Sequence, residues 1–393
     1  MSETSDTVVQ VSRERLKFID MARSVAILLM LEGHFIDETL KVSYRVPENF
    51  AYTAWHFVRG FTAPLFFTVT GLIFVYLLTK HKEVPYWENK RVRKGYRRAF
   101  ELLFWGYFLQ TYIFGYIGYL MGNITENVYG FHVLQSIGCA IIIILLIYRL
   151  YTWLHVGPLW LYYFLTGIIV LSFYPYLMSF PRDVHFPEGW PRFIQNMVHG
   201  PRSHFPLSPW IAFSMFGAMF GVLLNKYGDR VRQNWFPLTI IGIGFALNII
   251  SIGSLELLDK YLYHYLADKN IYLSSMEWVF SRFGQVLIGL GILMFIDKYL
   301  NIKENLFIKI GQSTLQIFIV HFIILYGGIF GFRLNSFFSK NLEPYQAIIG
   351  AVLFIGLFVV FTKYLVHLTI WYHKFLDVIF APLQFLKRKI LKK

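Results

Sequence analysis

Residues Asp20 to Phe35 read DMARSVAILLMLEGHF, an apolar run that carries a guanidinium at Arg23 and an imidazole at His34. A helix turns about 100° and rises about 1.5 Å per residue, so the steps from Arg23 to His34 return to within about 20° of one face and about 16 Å further along. Charged and titratable groups on one stripe of a membrane helix are costly to hold in hydrocarbon and mark candidate functional sites. A polar pair satisfied inside a helix bundle would give the same pattern. Asp20 and Asp37 fall near that stripe and can orient Arg23 or His34, Asp37 from three residues away. Glu32 falls on the opposite face, which suits packing or pairing between helices.

The rest of the chain extends this reading to a whole membrane bundle. Its 393 residues are 56% hydrophobic, 19% aromatic and only 15% charged, with a mean hydropathy of +0.49; a soluble domain carries about 25% charge. Apolar stretches of roughly twenty residues give about ten spans, centred near residues 32, 70, 109, 141, 167, 215, 245, 286, 319 and 357. The expected fold is therefore all-α, a polytopic integral membrane helix bundle. It is read as one domain over 16–373, with a polar tail at 1–15 and a basic amphipathic tail at 374–393. Arg13, Arg15 and Lys17 precede the first apolar run as in a signal peptide, but no small-x-small cleavage site follows, so residues 22–42 are expected to remain as a helix. The single cysteine, Cys139, excludes an intramolecular disulfide framework and a thiolate metal cluster.

Charge orients the bundle. The chain has 37 Lys and Arg and a net charge of +14, and if the spans alternate, most of these cations lie on the side of the N-terminus. That asymmetry predicts both termini in the cytoplasm. The basic excess then points to anionic membrane lipid, above all at the C-terminal FLKRKILKK, and not to nucleic acid, for which no motif is present. One basic cluster stands out in ENKRVRKGYRRAFELLF, from Glu88 onward, with Lys90, Arg91, Arg93, Lys94, Arg97 and Arg98 at the start of a span. Such a cluster can clamp a polyphosphate through charge-assisted bonds, or serve simply as a positive-inside anchor.

On the opposite side the longest connection runs from Tyr174 to Pro209 and is rich in proline. Loops beyond about 12–15 residues are usually lids, binding loops or disordered. Trp190, Trp210, His185, His199, His204, Arg182 and Arg202 suit an acceptor with hydroxyls and apolar faces, such as a sugar; an ordered cap that only shields the bundle fits equally. The histidines have no zinc-like spacing, so no metal is expected there. Arg282 in VFSRFGQVL and His321 in QIFIVHFIILY are isolated polar groups at membrane depth, and Gly217 with Gly221 forms a GxxxG pattern typical of a packing seam.

RLKFIDMARSVAILLMLEGHF (Arg15–Phe35) and RGFTAPLFFTVTGLIFVYLL (Arg59–Leu78) together resemble the opening of the transmembrane acyltransferase superfamily, which includes the acyltransferase-3 and heparan-alpha-glucosaminide N-acetyltransferase-like groups. Its Arg-x10-His signature falls on Arg23 and His34. VLQSIGCAIIIILL (Val133–Leu146), FPLSPWIAFSMFGAMFGVLL (Phe205–Leu224) and IGQSTLQIFIVHFIILYG (Ile310–Gly327) carry the resemblance to about residue 330. APLFF and FPLSPW look more like the bacterial, DUF1624-type branch, the Arg-x10-His spacing more like acyltransferase-3. Ser24 stands where the family usually has Gly.

The resemblance implies a membrane-embedded acyltransferase, in a bacterial inner membrane, moving an acyl group, usually acetyl, from cytoplasmic acyl-CoA to a hydroxyl or amine of a glycan, lipid or small acceptor on the other side. Acetyl-CoA or another acyl-CoA is then the donor substrate, with no metal. Arg23, Arg93, Arg97 and Arg98 are the side chains expected against the CoA phosphates. His34 is the expected base or nucleophile, helped by Arg23, Asp20 and Asp37, because an imidazole titrates near working pH. His56 in AYTAWHFVRGFTAP is its rival, since lysosomal members place their key His after the first span. Arg59, Trp190, Trp210, Arg282 and His321 are the candidates for the acceptor side. A proton-coupled transporter would also use intramembrane Arg and His, but no pair of Gly/Pro-broken spans sits at matching positions in two halves. Reporter fusions at Asp229 and Glu188 should read opposite sides of the membrane; one sidedness for both overturns the orientation.

Overall fold

The computed structural model describes residues 16–80, 84–122, 126–266, 269–300, 305–331 and 333–365; the expected tails at 1–15 and 374–393 lie outside them. Among the described residues the chain is helical, with isolated bridges in place of strands. In order come α1 (Lys17–Thr39), α2 (Phe50–Arg59), α3 (Thr62–Leu78), α4 (Lys90–Phe108), α5 (Ile113–Leu120), α6 (Val133–Leu154), α7 (Leu159–Ser172) and α8 (Tyr174–Met178). Then follow α9 (Arg192–Val198), α10 (Leu207–Tyr227), α11 (Trp235–Leu266), α12 (Glu277–Leu300), α13 (Leu306–Gln312), α14 (Thr314–Tyr326), α15 (Asn335–Phe338) and α16 (Pro344–Leu365).

Among the described residues seven helical stretches are long and apolar enough to cross a membrane, or eight if α13 and α14 count as one span bent by 81°. The count of about ten is therefore not confirmed, for identifiable reasons. The helix of α1 runs over 17–39, and its Asp20, Arg23, Glu32, Asp37 and Glu38 make it less apolar than its neighbours. The stretch expected to span around residue 109 is two elements: α4 begins early, at the basic cluster, and ends at Phe108, and α5 follows after a turn.

Helix starts follow local chemistry. Asn89 caps α4 by accepting from Arg91 N at 2.8 Å, Asn305 caps α13 by accepting from Ile308 N at 3.1 Å, and Asn49 caps α2 by accepting from Tyr52 N at 3.2 Å. Each satisfies one of the backbone donors left open at a helix start. Pro64 sits in the first turn of α3, where its missing N–H leaves no bond unmade.

At the centre α3 and α10 touch backbone to backbone. A Cβ on Gly71 would lie 1.9 Å from Ser214 O, and one on Gly217 would lie 2.0 Å from Thr68 O. Gly221 faces Leu72 O in the same way at 2.5 Å, so the GxxxG pair lines this seam. Ser214 Oγ adds a bond to Phe67 O at 3.1 Å. Toward the edge, α11 exposes Leu238, Ile243, Phe245, Ile249 and Ile250, as a lipid-facing helix would. It breaks at Ile252 and Gly253, where φ reaches +76° at the glycine.

The segment from Tyr174 to Pro209 is an ordered cap. Phe131 N donates to Arg202 O at 2.9 Å, His204 N donates to Phe131 O at 2.9 Å, and Asn196 Nδ2 donates to Tyr129 O at 2.9 Å. The rings of His132 and His204 stack at 4.5 Å. Burial, then the neighbouring His204 and Arg202, push the His132 pKa down to about 4, so the stack is one of neutral imidazoles. Phe67 in α3 meets Phe205 at 6.1 Å and Trp210 at 5.3 Å, which places the cap over the end of the bundle where α1 finishes.

Gly71→Ala should lower the melting temperature of the detergent-solubilised protein, because overpacking costs about 1–3 kcal/mol even where the surroundings can give. Gly242→Ala, where a Cβ meets nothing within 4 Å, should leave it unchanged or raise it slightly.

Candidate active site

The polar residues of α1 are sorted by the elements that pack on it. Ser24 Oγ has one proton to donate, to Phe307 O at 2.5 Å or to Asp20 O at 3.0 Å, and it accepts from Gly311 N at 3.0 Å. Gly311 is required there, since a Cβ would come within 2.4 Å of Asp20 O. The chain turns between α13 and α14 at this contact. Arg23 lies beside the new helix, its Nη2 donating to Thr314 Oγ1 at 3.2 Å and its Nη1 3.8 Å from Asp20 Oδ1.

A cavity of about 330 Å³ opens beside Arg23. Its polar rim holds Arg23, Arg91, Arg98, Thr70 and Thr314, and its walls are apolar, from Phe66, Val69 and Ile73 of α3 to Leu134, Ile137 and Ile141 of α6. Arg91 and Arg98 are seven residues apart and share a face of α4. Arg93 and Arg97 are exposed and do not line the cavity. The basic cluster thus divides: Arg98 and Arg91 line the cavity with Arg23, and Arg93 and Arg97 do not. Sequence reasoning passed over Arg91, although the buried stripe Val92, Gly95, Ala99 and Leu102 gives the phase that would have selected it.

Phe318 forms the inner wall of the cavity, and its ring stands edge-on at 4.9 Å from that of His321. His321 is wholly buried, at 0% exposure. Its Nε2 lies 3.3 Å from His34 Nδ1, and the two ring centroids are 5.3 Å apart. The Tyr326 ring stands edge-on to His34 at 5.8 Å. The two histidines that looked independent in the sequence are neighbours, because α14 runs alongside α1 from the Ser24 contact onward. His34 keeps a partly exposed edge.

Around His34 the charges are organised by Arg59. It pairs with Asp37, which also faces Arg45 Nη1 at 3.6 Å. Its guanidinium carbon lies 5.8 Å from the Trp55 ring centre, and Trp55 Nε1 donates to Glu32 Oε1 at 2.6 Å. Gly33 lets the Arg59 stem cross α1 beside His34, since a Cβ there would meet Arg59 Cγ at 3.3 Å. Asp37 therefore holds arginines, with no hydrogen bond to His34 among those described.

The remaining candidates lie apart from this pair. His56 is exposed on α2 and packs near Tyr52 at 5.8 Å. Arg282 donates to Phe57 O at 2.7 Å and to Gln285 Oε1 at 2.9 Å, fastening α12 to the α2 end. Trp210 belongs to an aromatic cluster, 4.7 Å from Phe205 and 5.8 Å from Trp278. Trp190 is exposed on the cap and lines a hollow of about 780 Å³ with Tyr176, His185, Glu188 and Arg192. Among the described residues no group of three or more His, Cys, Asp or Glu is arranged to hold a metal ion.

The arginine-rimmed, apolar-walled cavity and the histidine pair are neighbours through Phe318, which lines the one and packs on His321 of the other. A search of curated proteins finds no match to the chain. Among protein families, heparan-alpha-glucosaminide N-acetyltransferase, catalytic, matches residues 15–266. That span takes in α1, α3, α4 and α6, the elements that carry Arg23, His34 and most of the cavity wall. The chain belongs to the heparan-alpha-glucosaminide N-acetyltransferase catalytic family.

Proposed function

We propose that this protein is an integral membrane acyltransferase that moves an acyl group, by family acetyl, from acyl-CoA to a hydroxyl or amine on the other side of the membrane. The observation that carries this reading is the cavity rimmed by Arg23, Arg91 and Arg98, whose lining residue Phe318 packs at 4.9 Å on His321 of the His34–His321 pair. Coenzyme A presents a pyrophosphate and a 3′-phosphate, which guanidinium groups bind strongly through charge-assisted hydrogen bonds. Its pantetheine arm is slender, and its methylene and dimethyl segments suit apolar walls. On this reading the arginines face the cytoplasm, as do both termini, and the membrane is a bacterial inner membrane.

His34 is the acid and base. As the acceptor oxygen or nitrogen attacks the thioester carbon, its proton passes to the imidazole; as the C–S bond breaks, the sulfur takes that proton and leaves as the free thiol. Positioned acid/base groups of this kind contribute about 10²–10⁴-fold. Arg59, beside His34 and held by Asp37, supplies positive potential where negative charge develops. The acceptor arrives from the cap end. The hollow at Trp190 and Tyr176, with Glu188 and Arg192 beside them, suits a sugar ring, whose apolar face stacks on an aromatic and whose hydroxyls bond to charged groups. The acceptor is then a glycan or a lipid-linked glycan.

A carrier is the second reading, and the 81° break between α13 and α14 favours it, because transporters bind substrates at interrupted helices. The two readings separate in one experiment. Purified protein with labelled acetyl-CoA and membrane glycans or lipids consumes thioester if it is a transferase, and does not if it is a carrier.

Arg91→Ala with Arg98→Ala should weaken acyl-CoA binding by about 10- to 100-fold while lowering the maximal rate far less, since contacts remote from the thioester bind ground and transition states alike. Arg93→Ala with Arg97→Ala should leave donor affinity unchanged. Equal effects in the two double variants, measured by titration calorimetry, would reduce the cluster to an anchor.

His34→Ala should cut transfer by about 10²–10⁴-fold with donor binding intact, and His56→Ala by only a few-fold. The reverse ranking in the same transfer assay moves the catalyst to α2.

A further inference from the structure

We propose that His321 is the positioning residue that sets which nitrogen of His34 carries the proton, acting as a neutral orienting partner in the place a carboxylate fills in many acid/base pairs. This rests on the acyltransferase reading of His34 given above.

The inference follows from counting donors and acceptors. An imidazole that is neutral has one N–H and one lone pair, and the bond made by one nitrogen decides the role of the other. His321 Nδ1 lies 3.3 Å from Ile317 O, one turn back along α14. A carbonyl oxygen can only accept, so a lone pair at Nδ1 would face another lone pair; the proton therefore sits on Nδ1 and donates to Ile317. That leaves His321 Nε2 as an acceptor. The atom 3.3 Å from it is His34 Nδ1, which must then be the donor. His34 Nε2 is left with the lone pair.

The chain from Ile317 O through His321 to His34 thus fixes the tautomer in which the outer nitrogen of His34 is free to take a proton. The burial pattern agrees with this division. His321 has no exposed surface and Phe318 covers it on the cavity side, so it touches neither donor nor acceptor. His34 is partly exposed and is the member that substrates can reach. When His34 gains the acceptor's proton it becomes an imidazolium whose Nδ1–H still points at a lone pair on His321, and the charge is stabilised without an ionised partner in the membrane interior. In serine hydrolases the orienting group is a buried carboxylate, and loss of its acceptor character leaves the histidine in the wrong tautomer. A second imidazole does the same work here without bringing a net negative charge to membrane depth.

The test compares substitutions that differ only in what they offer His34. In His321→Gln the carboxamide oxygen can reach the place of Nε2 and accept from His34; in His321→Leu nothing accepts; in His321→Asn the carboxamide reaches only the place of Nδ1. The expected result in the purified, full-length protein is a kcat lowered about 10²- to 10⁴-fold in the Leu and Asn variants, kcat within about tenfold of the parent for Gln, and an unchanged affinity for acetyl-CoA in all three. Should the Leu variant not fold, Gln against Asn makes the same comparison. The proposal is overturned if the Leu or Asn variant keeps the parental kcat, or if Gln is as inactive as Asn while both bind donor normally. His34→Ala, assayed alongside, separates the failures: if it retains full transfer, the catalytic reading of His34 falls first, whereas an inactive His34→Ala beside a fully active His321→Leu sinks this proposal alone.

Discussion

One hydroxyl holds the candidate site together. Ser24 Oγ bonds to α13 at two points, Phe307 O and Gly311 N, and does so where the chain abandons one helix axis for another 81° away. A break leaves backbone donors and acceptors open, and in a low-dielectric interior each unmade bond is expensive. Ser24 supplies partners for two of them. Because α14 departs from that fixed point along α1, Thr314 falls beside Arg23 and His321 beside His34. The same contact thereby sets both ends of the site, the arginine rim and the imidazole pair.

The residue that does this is the one that departs from the resemblance, where Gly is usual. In the sequence it read only as a departure from the usual Gly. Its role depends on a segment nearly three hundred residues away, which no local pattern discloses. The Arg23 and His34 stripe was legible because helical phase and the cost of buried charge are local properties of one helix. The His34 to His321 contact was not, since each histidine lies on its own apolar run and nothing in either run names the other. The basic cluster was legible as a cluster, and its division follows from helical phase, since Arg91 and Arg98 flank the stripe of Val92, Gly95, Ala99 and Leu102 while Arg93 and Arg97 fall off it; that this stripe packs beside Arg23 was not legible, because it depends on contacts between distant helices. Asp37 illustrates a third limit: three residues from His34, it turns instead to Arg59 and Arg45, because guanidinium groups from the next helix and the connecting loop compete for it.

The bundle's core and its cap also differ in kind. The α3 and α10 seam is made of backbone, with Gly71, Gly217 and Gly221 removing the side chains that would separate the helices. Close approach of that sort admits little adjustment, so the cavity wall contributed by α3 is rigid. The cap is joined to the start of α6 by a few backbone bonds and a stack of neutral histidines, and α6 is also a wall of the cavity. Whatever settles on the cap is therefore mechanically connected to the helix that borders the donor site.

The break in α11 bears on where the membrane ends. Its 32 residues would extend about 48 Å if straight, well beyond a hydrocarbon layer of about 30 Å. The turn at Gly253 removes the excess by sending the last part of the helix off the axis, and that part carries Tyr261, Tyr263 and Tyr265, all exposed. Tyrosines gather at headgroup depth, where a ring can be half in oil and half in water. The arm beyond Gly253 is therefore suited to headgroup depth, and it is tied to the cap through α12: Gly253 N donates to Glu277 Oε1 at 3.3 Å, and the next residue, Trp278, donates through Nε1 to the Tyr174 hydroxyl at 3.1 Å.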